Sequence, residues 1–322
     1  MGIQSVCGRS VAVVALLCAS ALVPATAQPL AKTAEIAKRG LSASNFPQVI
    51  PLVPNVYAYE DVHVGGAITT NSLIVVTQEG VVVVDGQGTV PQTERMVAEI
   101  GKLSDKPIRY VIIASQHPDH TGGNSAFPPS ATFVSHPVAQ AALQKAATQP
   151  PREGGPANPP RVVVPTETVA DQRVLNVGGT EIQIINLGRS HTGSDLTVYL
   201  PQQKVLFLSE TYMPRMFPSM GTGYPSEWIA SVGKAQKMKA TWYVPAHGFV
   251  VDAKTLKAEL PIFQRALKAI VAEGKRLHAA GVPVEEAAQQ ADFGEFNGWS
   301  LREVFGPADI KRVYAELNGE LQ

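Results

Sequence analysis

Cysteine is nearly absent from this chain: 322 residues hold only two, Cys7 and Cys18. Both fall in an N-terminal stretch that reads as a removable secretory signal. Arg9 supplies its positive charge, residues 11–17 (VAVVALL) its apolar core, and Ala25-Thr26-Ala27 a small-residue cleavage site before Gln28. Cleavage there leaves residues 28–322 without a thiol, which excludes disulfides and thiolate ligands from the mature chain. The apolar core is too short for a spanning helix, and Leu17 ahead of Cys18 is a poor fit to lipoprotein processing. The expected address is therefore secreted and periplasmic, with no membrane span after cleavage. An excess of either charge is missing too. Lys+Arg and Asp+Glu are both 27, for a formal net charge of +0, which argues against capture of nucleic acid or of an anionic membrane. No run of like charges and no internal repeat stands out. With 45% hydrophobic and 17% charged residues, the chain can bury a substantial core.

What is present is a set of histidines and carboxylates at the ends of apolar runs. Tyr110-Val111-Ile112-Ile113-Ala114 reads as a buried strand and leads into Ser115-Gln116-His117-Pro118-Asp119-His120. If the extended conformation continues, Ser115, His117 and Asp119 project to one face, and His120 joins from the turn at Thr121-Gly122-Gly123. Three later runs repeat the arrangement. Ile182-Gln183-Ile184-Ile185 precedes the Gly-bounded turn around His191, Val205–Ser209 leads to Glu210, and Trp242–Ala246 leads to His247. Neutral imidazole and carboxylate suit a borderline ion such as zinc, and open α/β sheets gather their sites at such strand ends. A metal site built from these residues is the expectation.

The pattern resembles the metallo-β-lactamase superfamily, whose main motif is His-x-His-x-Asp-His followed by more distant ligands. The resemblance runs from about Val56 to His247 and includes a first hairpin at residues 71–86. It implies a four-layer αβ/βα sandwich with the metals at the sheet edges between the halves. It also implies that one metal takes Ser115, His117 and His191, the other Asp119, His120 and His247, with Glu210 near both. Asp85 would be a carboxylate orienting the site from behind, although a plain strand-end turn at Asp85-Gly86 reads equally well. The chain departs from the pattern twice. Ser115 replaces the first histidine, and Glu210 stands where an aspartate commonly bridges the metals. A serine hydroxyl is a much weaker zinc ligand than imidazole, so one tight zinc and a weak or absent second are expected. Water completing the Ser115 position would instead allow two. The activity implied is a zinc-dependent hydrolase acting on a small molecule of β-lactam, lactone, ester or thioester class, with Asp119 as the catalytic carboxylate. An alkylsulfatase-like hydrolase, an iron-dependent redox member and a non-catalytic periplasmic metal- or ligand-binding protein are the alternatives.

The expected organisation is a signal peptide over 1–27, an extension over 28–50 and the metallo-β-lactamase-like domain over 51–252. A helical C-terminal segment over 253–322 packs on that domain. Helices are expected at about 91–103, 137–145 and 226–238, and a hairpin at Gly178-Gly179. The stretch 149–160 holds too many prolines for helix or central strand. The loop from Thr211 to Tyr224 offers Phe217 and Tyr224 as apolar pocket walls and Arg215 as a contact for a substrate anion; packing of the loop onto the protein is the competing reading. His63 is placed to look into the cleft and His136 to cap or pack a helix.

Overall fold

Strict alternation in the first half of the chain divides its apolar residues between two cores. In the strands β4 (Val81–Val84) and β5 (Ile108–Ile113), Val82, Val84 and Ile112 face one core while Val81, Val83, Val111 and Ile113 face another. A sheet covered on both faces demands this near-continuous apolar sequence. The computed structural model describes residues 1–2, 32–150 and 161–321. Apart from Met1 and Gly2, the expected signal segment with its cysteines and cleavage site lies outside the described residues, as does the proline-rich stretch beyond Pro150.

The first sheet has seven strands in sequence order: β1 (Gln48–Val53), β2 (Val56–Val62), β3 (Thr69–Val76), β4, β5, β6 (Thr132–Ser135) and β7 (Glu167–Thr168). Its first four strands run antiparallel and the last four parallel. The second sheet has five, ordered β12 (Trp242–Pro245), β11 (Val205–Ser209), β10 (Thr197–Leu200), β9 (Thr180–Ile185) and β8 (Gln172–Val177). Here only β11 and β12 are parallel. β8 and β9 form the hairpin expected at Gly178-Gly179, both with positive φ. The strand β1 begins at Gln48, so the end of the expected extension is already sheet.

Helices flank the sheets. On the outer face of the first lie α1 (Val90–Leu103) and α3 (Pro137–Thr148), whose Met96, Ile100 and Leu143 complete the second core. Thr89 caps α1 by accepting from Gln92 N, with Pro91 just inside the start. His136 does cap a helix: its Nδ1 accepts from Val138 N at the start of α3. Against the second sheet lie α4 (Pro225–Lys237) and α5 (Ala253–Ala279), joined by α6 (Val284–Gln290) and α7 (Arg302–Leu317). A four-turn-plus stripe of α5 (Leu256, Leu260, Phe263, Leu267, Ile270) shares one core with both sheets, so the C-terminal helices belong to the same compact unit over residues 31–322. The result is the expected four-layer αβ/βα sandwich with C-terminal helices added.

The two sheets are stitched together where β3 meets the chain after β12. Asn71 N donates to Ala246 O at 2.7 Å, and Asn71 Nδ2 donates to Pro245 O and Gly248 O at 3.1 and 2.8 Å. Thr69 Oγ1 donates to Gly248 O at 2.8 Å. No helix among the described residues is long and apolar enough to cross a membrane.

Candidate metal centre

Asp85 organises the site before any metal is considered. It sits at the end of β4 with φ +61°, a conformation that disfavours most L-residues. Its carboxylate holds that conformation in place. Oδ1 accepts from Ala114 N and Ser115 N at 2.7 and 3.2 Å, and Oδ2 accepts from Ser209 Oγ at 2.6 Å. One buried side chain thus ties together the ends of β4, β5 and β11. Its Oδ2 also lies 3.3 Å from His120 Nδ1, on the side of that ring away from the other donors.

The motif after β5 is not extended throughout. Pro118 occupies the first position of a short helix, α2 (Pro118–Thr121), with His117 as its N-cap residue. This corrects the expected single face: the helical turn swings Asp119 and His120 away from His117. Two donor groups result, sharing Glu210. The first is Asp119, His120, Glu210 and His247. Asp119 Oδ2 is 3.2 Å from Nε2 of both His120 and His247, those two nitrogens are 3.4 Å apart, and Glu210 Oε1 is 3.5 Å from His247 Nε2. The second is His117, His191 and Glu210. His117 Nδ1 is 2.9 Å from Glu210 Oε2, His191 Nε2 is 3.1 Å from Glu210 Oε1, and the two ring nitrogens are 3.1 Å apart. Ser115 Oγ donates to Glu210 Oε2 and accepts from His117 N.

Two of the rings, His247 and His117, are held through their other nitrogen. His247 Nδ1 is hydrogen-bonded to Thr69 O at 2.8 Å, leaving Nε2 for the site. His117 turns Nε2 to Thr222 Oγ1 at 3.5 Å and Nδ1 inward. The His191 turn is folded around the buried Asp195, which accepts from Ser190 Oγ at 2.8 Å and from Thr192 N at 2.6 Å. Trp228 supports the His191 ring edge-on.

The electrostatics are those of donors awaiting a cation. Glu210 and hydrogen bonding to it raise His117 to about 9 against the opposing effect of burial. Burial alone would lower His247, but hydrogen bonds to Asp119 and Glu210 outweigh it and leave the ring raised to about 9. His120 is raised well above the usual histidine range: burial opposes this, and Asp119 and Asp85 overcome it. Asp119 and Glu210 are held well below the carboxylate range despite burial, by His120 and by His117 and His191 respectively. Converging carboxylates and imidazoles, almost all buried, fit a divalent metal ion that would replace these shared protons.

The comparison with known families now decides the lineage. The family model of the metallo-beta-lactamase superfamily matches residues 65–247, more than half of the chain. The chain belongs to that superfamily. Among curated relatives, it is 24% identical to the linear primary-alkylsulfatase of Pseudomonas sp. (strain ATCC 19151) over 76% of this chain and 55% of that protein. It thus spans only about half the length of that relative. It is 25% identical to the metallo-beta-lactamase type 2 of Bacillus sp. (strain 170) over 62% of this chain and 75% of that protein. Among solved structures, a metallo-beta-lactamase from Pontibacter korlensis superposes with a TM-score of 0.58 at 21% identity, covering 69% of this chain and 99% of that one. That likeness shows the fold.

Within the superfamily scaffold, the donor groups open into a cleft of about 280 Å³. It is lined by His63, Gly65, Ala67 and Ile68 from the β2–β3 loop, by Met213, Met216 and Ser219, and by Leu301 and Phe305. The three pocket residues expected from the 211–224 loop lie elsewhere. Arg215 does not meet the cleft, because Nη2 donates to Glu259 Oε1 of α5 at 2.6 Å and Nε lies 2.6 Å from Oε2. Phe217 is fully buried with its ring 4.8 Å from Phe293. Tyr224 lies under the Arg189 guanidinium at 3.9 Å and backs the His191 turn from outside the cleft. The competing reading, that this loop packs down, holds for all three. His63 does face the cleft, 3.7 Å from Asp119 Oδ2. Leu301 and Phe305 carried no sequence signal, since nothing local distinguishes them from ordinary helix-packing residues.

Proposed function

We propose that this chain is an exported zinc-dependent hydrolase of small molecules carrying an ester, thioester, lactone or β-lactam bond. The observation that supports this best is the sharing of Glu210 by two donor groups on the floor of an open cleft. Nitrogen and oxygen donors without thiolate suit zinc, which when bound lowers the pKa of water towards neutrality and polarises an electrophile. Asp119, His120, His247 and Glu210 would hold the tighter ion. His117, His191 and Glu210 would hold the weaker one, because Ser115 adds only a hydroxyl already committed to Glu210. Asp119, on the cleft floor, would orient the attacking water as well as hold metal. Export rests on Arg9, the apolar core and the Ala25-Thr26-Ala27 site.

A second reading is alkylsulfatase-like hydrolysis. It is favoured by the similarity to the Pseudomonas linear primary-alkylsulfatase. Zinc content of purified protein and turnover of a panel of carboxylic esters, thioesters, lactones, β-lactams and sulfate esters test both readings. Turnover lost on chelation and restored by zinc is expected. Turnover of sulfate esters alone would select the second reading. Retained zinc without turnover of any substrate would leave a binding protein. N-terminal sequencing of exported protein should begin at Gln28, and an intact Met1 in the cytoplasmic fraction would overturn the address.

A further inference from the structure

The cleft wall opposite the donor groups is made by residues from outside the matched family region. Leu301 and Phe305 stand at the start of α7, more than fifty residues beyond His247, yet line the same cleft as His117, Asp119 and His247. Their placement is built. The segment before α7 is bonded to the loop after Glu210 through Phe217 N to Ser300 O at 2.9 Å and Ser300 N to Arg215 O at 3.2 Å. That pairing sets Leu301 beside Met216. Leu301 itself holds φ +63°, where glycine would be the relaxed residue. A branched apolar side chain held at a strained backbone position and lining a cleft is an observation that asks for a function.

We propose that Leu301 and Phe305, with Ile68, Met213 and Met216, form a specificity site for the uncharged apolar acyl chain of a carboxylic ester. This rests on the hydrolase reading above and narrows it. No lysine or arginine is among the described residues lining the cleft, and the carboxylates of Asp119 and Glu210 stand at its floor. A substrate tail bearing its own carboxylate would be desolvated against apolar walls with no lysine or arginine to pair it. An acyl chain loses water to the same walls at a gain. The cleft's 280 Å³ lies at the lower end of ligand pockets, which suits a short chain rather than a bulky drug-like group. With the carbonyl carbon near Asp119 and Glu210, the chain runs over Met213 and Met216 towards Phe305.

The test uses the full-length zinc-loaded protein and p-nitrophenyl acetate, butyrate and hexanoate, with mono-p-nitrophenyl adipate as the carboxylated counterpart. kcat/KM should rise by roughly two- to fourfold for each added methylene that is buried, and adipate should fall well below hexanoate. Phe305→Ala and Leu301→Gly should each cut the hexanoate-to-acetate ratio by about fivefold or more, through KM. Leu301→Gly relieves the backbone but also removes a side chain packed on the core, so the melting temperature of each variant is measured alongside. The ratio is the readout, because a folding defect lowers turnover of neither substrate selectively. Val304→Ala, exposed on the same turn, should leave the ratio unchanged. Binding of acetohydroxamate and hexanohydroxamate, followed by calorimetry, reads the same site without turnover. A flat chain-length series in both assays, or a preference for adipate, would overturn the acyl site while leaving the hydrolase reading intact. Tighter hexanohydroxamate binding that depends on Phe305, with no ester turned over, would reject the carboxylic ester as the substrate of this site while leaving the wider hydrolase reading to its own panel.

Discussion

At the scale of single residues, Ser115 and Glu210 decide how this site differs from the pattern it resembles. Ser115 Oγ is fully buried and spends its proton on Glu210 Oε2, the same oxygen that His117 approaches. Replacing Asp119 or His247 by alanine removes one donor of the group that holds the tighter ion in the proposed reading. Each variant should lose more than about 100-fold in zinc affinity, beyond what altering a supporting hydrogen bond does. Calorimetric titration of stripped protein measures this, and unchanged affinity in both would remove these residues from the site. For stoichiometry, the native chain should retain about one zinc per protein after gel filtration under limiting metal. Ser115→His should raise this towards two, since His117 and His191 already face the gap. Two tight ions in the native chain would show that Glu210 suffices without the histidine. The histidines and carboxylates were legible in sequence because they follow apolar runs and their chemistry has few other uses there. Arg215, Phe217 and Tyr224 were misread because composition does not say whether a side chain faces a void or a partner. For Arg215 that partner is Glu259, on a helix 44 residues later.

At the scale of elements, the loop from Thr211 to Tyr224 is held between two C-terminal helices. Glu259 of α5 grips Arg215, and Asp309 of α7 accepts from Met220 N at 2.7 Å. Asp309 is fully buried, and that burial pushes its carboxyl well above the usual range. Asp309→Asn keeps an acceptor and should unfold within about 0.5 kcal/mol of the parent. Asp309→Leu leaves Met220 N without a partner and should cost about 1–3 kcal/mol. Urea unfolding of both variants checks the contrast; equal losses would mean that packing rather than the bond matters. α2 illustrates where local reading failed. Pro118 was visible, but its two possible meanings, an end to the strand or the start of a helix, lead to different donor groupings. Helices α1, α3 and α4 were legible nearly to their ends, because capping residues and prolines mark them.

For the whole molecule, one buried carboxylate should leave a signature in how stability varies with pH. Burial raises Glu60 of β2 to about 7, against a backbone bond from Val250 N and the charge of Arg39. Its folded value lies above its unfolded one, so the protonated form contributes stability that is complete below about pH 4.5 and lost as pH rises through 7. The loss is on the order of 3 kcal/mol. Glu60→Gln should flatten this decline, as read from urea midpoints between pH 4.5 and 8; an unchanged slope would assign it to other groups. The sandwich itself was legible because alternation and turn chemistry name strands and their partners in sequence order. The stitch between sheets was not, since Asn71 gives no local hint of its bonds to Pro245 and Gly248. That stitch has a meaning in time. In chain order, Thr69 and Asn71 come about 175 residues before the carbonyls they bind and the histidine that Thr69 holds. The first sheet can form early, but its site stays incomplete until His247 arrives. Tight metal capture would therefore wait on the last donor to join the fold, and a chain truncated before His247 should hold zinc no better than His247→Ala does.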